Sequence, residues 1–71
     1  MEENNIIAIY YLTAEKSIEV TNIKYGVDDY IIYNFTNETK KHKAKISYNI
    51  SGNTYINIKN IRYYLDEFIR I

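Results

Sequence analysis

The pattern of hydrophobic and polar positions before residue 60 predicts strands rather than helices. The segments 6–12 and 30–35 are apolar in both phases of the alternation, which is typical of strands covered on both faces. Segment 18–25 alternates in one phase as far as Thr21 and in the opposite phase from Asn22. One extra residue at this point would reconcile the two phases, so we expect a β-bulge there.

The most regular alternation lies in segment 43–50, and a further strand is expected at 55–59. A two-residue loop between them would turn Ile56 onto the polar face, whereas a three-residue loop at 52–54 pairs it with Ile50. The hydrophobic pattern therefore favours the three-residue loop. In that register the outer face of the hairpin carries Lys43, Lys45, Ser47, Asn49, Tyr55, Asn57 and Lys59.

The end of the chain has helical spacing. Asn60 is a favourable N-cap, and the residues after it form an apolar stripe at i, i+3, i+4, i+7 and i+8. The stripe consists of Ile61, Tyr64, Leu65, Phe68 and Ile69. The expected fold is therefore α+β: a single domain over 1–71, with a five-stranded antiparallel β-meander or small barrel and one C-terminal α-helix at about residues 60–70.

Composition shows a charge polarity that the net charge hides. Nine Lys and Arg balance nine Asp and Glu, yet residues 1–39 carry a net charge of −5 and residues 40–71 a net charge of +5. In a meander, these charges could neutralise each other across neighbouring strands. Alternatively, they could mark surfaces for a charged partner or for a second copy of the chain.

Candidate catalytic groups are few. The chain has no Cys and one His, so neither a thiolate metal site nor a histidine cluster is expected. Asp28 and Asp29 are adjacent, as are Asp66 and Glu67, and adjacent side chains diverge on a strand or a helix rather than forming an acid–base pair. We therefore expect a non-enzyme that uses no metal and no cofactor.

The run 40–45 holds four lysines in six residues and is the sharpest local feature. Lysines around an aromatic ring on a small β-sheet are one arrangement by which proteins bind single-stranded nucleic acid. A solvated strand face is the simpler explanation, because the sequence pI of 6.6 is far from that of a basic domain. The candidate binding residues are Lys40, Lys41, Lys43, Lys45, Tyr55, Asn57 and Lys59.

Nine tyrosines are more than a small core can bury with satisfied hydroxyl groups, so some are expected at an interface. A single helix covers only one face of a sheet. The second face would then be covered by barrel closure or by a partner chain, with a homodimer as the expected form. The candidate interface residues are Tyr10, Tyr30, Ile32 and Tyr63.

These features together favour a small, non-enzymatic protein-binding or inhibitor module, such as a phage or mobile-element accessory protein that occludes a host factor. The alternative is a binder of single-stranded nucleic acid or another anionic ligand through the basic outer face. The acidic start of the chain predicts no signal peptide, and the longest apolar run, 6–12, is far shorter than the ~20 residues that span a bilayer. We therefore expect a cytoplasmic protein without a membrane partner.

Overall fold

The computed structural model describes residues 5–71, and the fold is almost entirely β. The strands are β1 (Ala8–Tyr11), β2 (Ser17–Lys24), β3 (Tyr30–Phe35), β4 (His42–Lys45), β5 (Ser47–Tyr48), β6 (Thr54–Ile58), β7 (Ile61–Tyr64) and β8 (Ile69–Arg70). All pairings are antiparallel. The first sheet has the order β4-β3-β2-β1-β8, and the second has the order β5-β6-β7. Within the described residues no helix is long and apolar enough to cross a membrane.

The α+β prediction is wrong, because no α-helix forms over residues 60–70. Lys59 and Asn60 adopt positive φ angles of 52° and 70°, which makes them a tight turn between β6 and β7 rather than a helix start. Strand β7 then pairs with β6 along its whole length, and the only helical remnant is a 3₁₀ turn at Leu65–Glu67. A three-turn helix is marginal by itself, whereas β-branched and aromatic residues gain from packing beside an apolar strand.

The predicted strand 43–50 is broken at Ile46, which is buried between β4 in the first sheet and β5 in the second. The predicted three-residue loop is also wrong, since Tyr48 and not Ile50 forms the last pair, opposite Thr54. Asn49 explains the longer loop. Its side-chain oxygen accepts from the Asn53 amide at 2.9 Å, and its own amide donates to the Asn53 carbonyl at 3.0 Å. These bonds close the loop and leave Ile50 in solvent.

The bulge predicted near Thr21 is confirmed. The register between β2 and β3 shifts between Val20 and Asn22, so Val20 pairs with Tyr33 and Asn22 pairs with Ile32. The shift lets apolar residues on both sides of the bulge point inward, although the sequence changes phase.

The core lies between the two sheets. Ile18, Val20 and Ile31 of the first sheet and Ile56 of the second are fully buried. The chain crosses between the sheets at two places, and a buried side chain marks each one: Ile46 at the first and Phe68 at the second.

An aromatic contact closes the core near the second crossing. The ring centre of Tyr10 lies 5.1 Å from that of Tyr63 and 5.2 Å from that of Phe68. Tyr10 and Tyr63, two of the predicted interface residues, take part in this core packing within the chain.

Candidate functional site

Three lysines surround one tyrosine on the outer face of the first sheet. Lys43 and Lys45 of β4 point outward because Ala44 between them is buried. Tyr30 pairs with Lys45 on one side and with Lys24 of β2 on the other. The ammonium nitrogens of Lys43 and Lys24 lie 4.4 Å and 5.8 Å from the centre of the Tyr30 ring. We call Lys24, Tyr30, Lys43 and Lys45 the lysine–tyrosine cluster.

The charges of this cluster are not neutralised by acids of the described chain. Among residues 5–71, the only acid–base pair within 4.0 Å joins Glu38 to His42, at 3.3 Å. The fold therefore forms no close cross-strand ion pair between the acidic and basic halves of the chain at this cluster. The lysines lie beside an aromatic ring instead, where a cation is attracted to the ring face yet remains open to a carboxylate from outside.

The opposite edge of the same face is apolar. Ile9 of β1 pairs with Ile69 of β8, and the Ile71 amide donates to the Ile7 carbonyl at 3.1 Å. Ile7, Ile69 and Ile71 are 37%, 57% and 75% exposed, so this edge presents aliphatic surface to solvent. We call Ile7, Ile9, Ile69 and Ile71 the isoleucine edge.

A polar network separates these two regions. Asn34 is buried under the β3–β4 connection, and its amide donates to the Glu19 carboxylate at 3.1 Å. The Lys41 ammonium donates to the Asn34 carbonyl oxygen at 3.2 Å. A shallow groove of about 240 Å³ opens between these side chains, Ile6 and Thr39. The network satisfies the buried amide and places Lys41 and Glu19 beside it on the face.

The basic surface predicted from sequence is split between the two sheets. Lys41, Lys43 and Lys45, together with the predicted interface residues Tyr30 and Ile32, share the outer face of the first sheet, and Lys40 lies exposed in the loop before β4. The remaining candidates belong to the second sheet: Tyr55 and Asn57 on β6 and Lys59 in the β6–β7 turn. The break at Ile46 causes this separation.

Tyr55 is also less available than its strand position predicts, since it is only 8% exposed. The guanidinium carbon of Arg62 lies 4.4 Å from the centre of its ring, and the Tyr64 ring lies 5.4 Å away. Neighbouring side chains on the outer side of the second sheet therefore cover this ring.

Lys24 is the cluster member that the sequence analysis missed, although a signal for it was present. The bulge near Thr21 reverses the phase of β2, which turns Ile23 inward and Lys24 outward beside Tyr30. A site assignment that used the bulge would have added Lys24 to the lysines of β4.

Elsewhere in the described residues, no group of three His, Asp or Glu side chains is placed to hold a metal ion. Comparison with known proteins adds no family or activity to this geometry: no family model, no curated protein and no solved structure matches the chain.

Proposed function

We propose that this protein is a protein-binding module that docks its partner on the outer face of the first sheet, which we call the docking face. The observation that carries the proposal is that one face presents two different surfaces, one basic and one aliphatic. The lysine–tyrosine cluster has no acidic neighbour within 4.0 Å among residues 5–71, and the isoleucine edge exposes aliphatic side chains. The partner that fits is a protein surface with apolar side chains in contact with the isoleucine edge and carboxylates opposite the lysines.

Single-stranded nucleic acid is the second candidate, and the aromatic geometry gives it less support. Binding of bases needs open ring faces next to cations. Lys43 lies over the Tyr30 ring, and Arg62 lies over the Tyr55 ring, so each ring has a face already occupied. Exposed isoleucines, which are suited to contact with another protein, have no role in tracking a phosphate backbone.

The test is affinity capture from native cell extract with the full chain and matched variants. The variant Lys43→Glu with Lys45→Glu reverses charge on the docking face, and Lys59→Glu makes the same change in the turn of the second sheet. Ile69→Ser removes aliphatic surface from the isoleucine edge, and Ile61→Ser does so at a similarly exposed position of β7 in the second sheet. A captured protein is then purified and titrated against each variant.

The proposal predicts direct binding that weakens about tenfold or more with the two docking-face variants and stays unchanged with the two controls. Raising the salt concentration should slow association. The proposal fails if no captured protein distinguishes the docking-face variants from the controls. Tight binding of an oligothymidine at low salt, lost on charge reversal at Lys43 and Lys45, would favour the nucleic-acid candidate instead.

The same variants also test whether the partner is a second copy of the chain. Light scattering at micromolar concentration should give a dimer that Ile69→Ser dissociates if the docking face is self-complementary. A cytoplasmic inhibitor encoded by a phage or mobile element is the biological setting that we propose for this module. Capture of a host protein through the docking face, with loss of that protein's activity, is the result that this setting requires.

A further inference from the structure

A second groove lies on the outer side of the second sheet, and one arginine borders it. It measures about 400 Å³, and its walls are formed by Tyr48, Asn49, Ile50, Ser51, Tyr55 and Arg62. Ile50 is fully exposed and Tyr48 is 56% exposed, so one wall is open aliphatic and aromatic surface.

The exposed Arg62 side chain lies against two tyrosines. Its guanidinium carbon lies 4.4 Å above the buried Tyr55 ring, and its Nη1 donates to the Tyr64 hydroxyl at 3.5 Å. This contact lowers the pKa of Tyr64 below its ordinary value, and the Asn49 side chain adds to the effect. A guanidinium that already contacts two side chains loses less side-chain freedom when it meets an anion than a fully solvated one does.

The guanidinium has no acid of the described chain within 4.0 Å. Its remaining N–H groups can therefore donate to an anion from outside, and carboxylate is the group that the planar guanidinium fork matches well. Asn49 and Ser51 add polar side chains to the same groove.

Nearby acids limit the charge that an anion can carry at this groove. The Tyr48 hydroxyl donates to the Asp29 carboxylate at 3.0 Å, which places one acid beside the apolar wall. Asp66 and Glu67 line an adjoining groove on the other side of Tyr64, together with Asn49. They would repel a chain of phosphates that continued past Arg62 more strongly than a single carboxylate. An acidic residue of a peptide therefore fits this surface better than a nucleic-acid backbone.

We propose that this groove binds a carboxylate side chain of an extended protein segment, with an apolar neighbour of that residue packed on Tyr48 and Ile50. Arg62 takes the carboxylate, and Tyr55 and Tyr64 contact Arg62. The cation of this site, Arg62 of β7, differs from the lysines of the docking face, although Tyr48 also lines a groove with Lys45.

The test uses two peptides of equal shape, acetyl-Leu-Glu-Leu-amide and acetyl-Leu-Gln-Leu-amide, titrated into the labelled full chain and followed by NMR. We expect saturable shifts at the Arg62 Nε–H and the Asn49 amide, with the Glu peptide about tenfold tighter than the Gln peptide. Arg62→Gln should abolish this preference, and Lys59→Gln, in the turn of the same hairpin, should leave it intact. An unchanged aromatic circular dichroism spectrum verifies that Arg62→Gln is folded.

Four results would overturn the proposal. The first is equal binding of the two peptides, and the second is no saturable shift at Arg62 with either of them. The third is a preference for the Glu peptide that survives Arg62→Gln. An oligothymidine that binds this groove more tightly than the Glu peptide would also overturn it, in favour of a phosphate site.

Discussion

The ammonium nitrogen of Lys43 lies 4.4 Å from the centre of the Tyr30 ring, on a face of the first sheet that is open to solvent. The two side chains come from different strands, β4 and β3, and their contact orients the lysine without neutralising it. Such a contact stabilises an exposed site only weakly, so it leaves Lys43 free to exchange the ring for a carboxylate of a partner.

A double-mutant cycle with Lys43→Gln and Tyr30→Leu measures this contact directly. The coupling free energy should be about 0.5–1 kcal/mol, the range for a cation–π pair at an exposed site. Urea unfolding of the four proteins provides the values. A coupling of zero would show that the ring does not orient the lysine, and a value well above 2 kcal/mol would make Lys43 part of the folding energetics.

Two isoleucines of the second sheet provide a matched test of the core. Ile56 is fully buried between the sheets, whereas Ile50 is fully exposed in the loop that precedes it. Ile56→Ala should lower the free energy of unfolding by about 2–5 kcal/mol, and Ile50→Ala should change it by less than about 0.5 kcal/mol. Equal effects in chemical denaturation would contradict the register of β5 and β6.

The β6–β7 turn can be tested at both of its residues. Lys59 and Asn60 have φ angles of 52° and 70°, which a β-branched side chain tolerates poorly. Lys59→Val and Asn60→Val should each cost about 1–2 kcal/mol of unfolding free energy, and Asn57→Val, at an exposed strand position, should not.

A helix beginning at Asn60 would give a different pattern in the same experiment. Loss of the cap would make Asn60→Val destabilising, but Lys59 would lie before the helix and tolerate valine. A neutral Lys59→Val would therefore contradict the turn.

The raised pKa of Tyr33 predicts that the free energy of unfolding falls at alkaline pH. Burial, with smaller effects from Glu38 and Tyr63, raises the pKa of Tyr33 above its ordinary value of 10.0. For a raised pKa, the stabilising contribution is complete below the unfolded-state pKa and is lost as the pH rises through the folded-state value. The free energy of unfolding should therefore decline from about pH 10 upward.

Tyr33→Phe removes the ionisable group while keeping the ring. In urea titrations across that alkaline range, its free energy of unfolding should decline less steeply than that of the original chain. An equal slope for the two proteins would show that other tyrosines cause the loss of unfolding free energy at alkaline pH.

The sequence predicts local features of single strands, but it does not predict which distant segments pair. The bulge near Thr21 follows from a change of phase within one strand, so the sequence alone located it. Asn60, in contrast, is favourable both as an N-cap and as a residue with positive φ. Pairing of Ile61–Tyr64 with β6 decides between the two structures, and that pairing is not encoded within the 60–71 segment itself.

The same limit explains why the sequence predicted only part of the candidate site. Alternation correctly placed Lys43 and Lys45 on an outer face, because Ala44 is an inward residue of the same short strand. It could not show that the chain leaves the first sheet at Ile46, since an isoleucine at an inward position looks the same in a straight strand. Tyr55 and Lys59 were therefore assigned to a surface that the fold divides between two sheets.

The pairing of β1 with β8 has a consequence for synthesis of the chain on the ribosome. Ala8 lies opposite Arg70, so the two partners of this ladder are separated by nearly the whole described sequence. Closing so long a loop is slow compared with forming the β1–β2 hairpin, and it waits until residue 70 has left the exit tunnel. Until then the free edge of β1, with Ile7 and Ile9 beside it, is open to strands of other nascent chains. Aggregation during translation is therefore the hazard that this order of strands imposes on the cell.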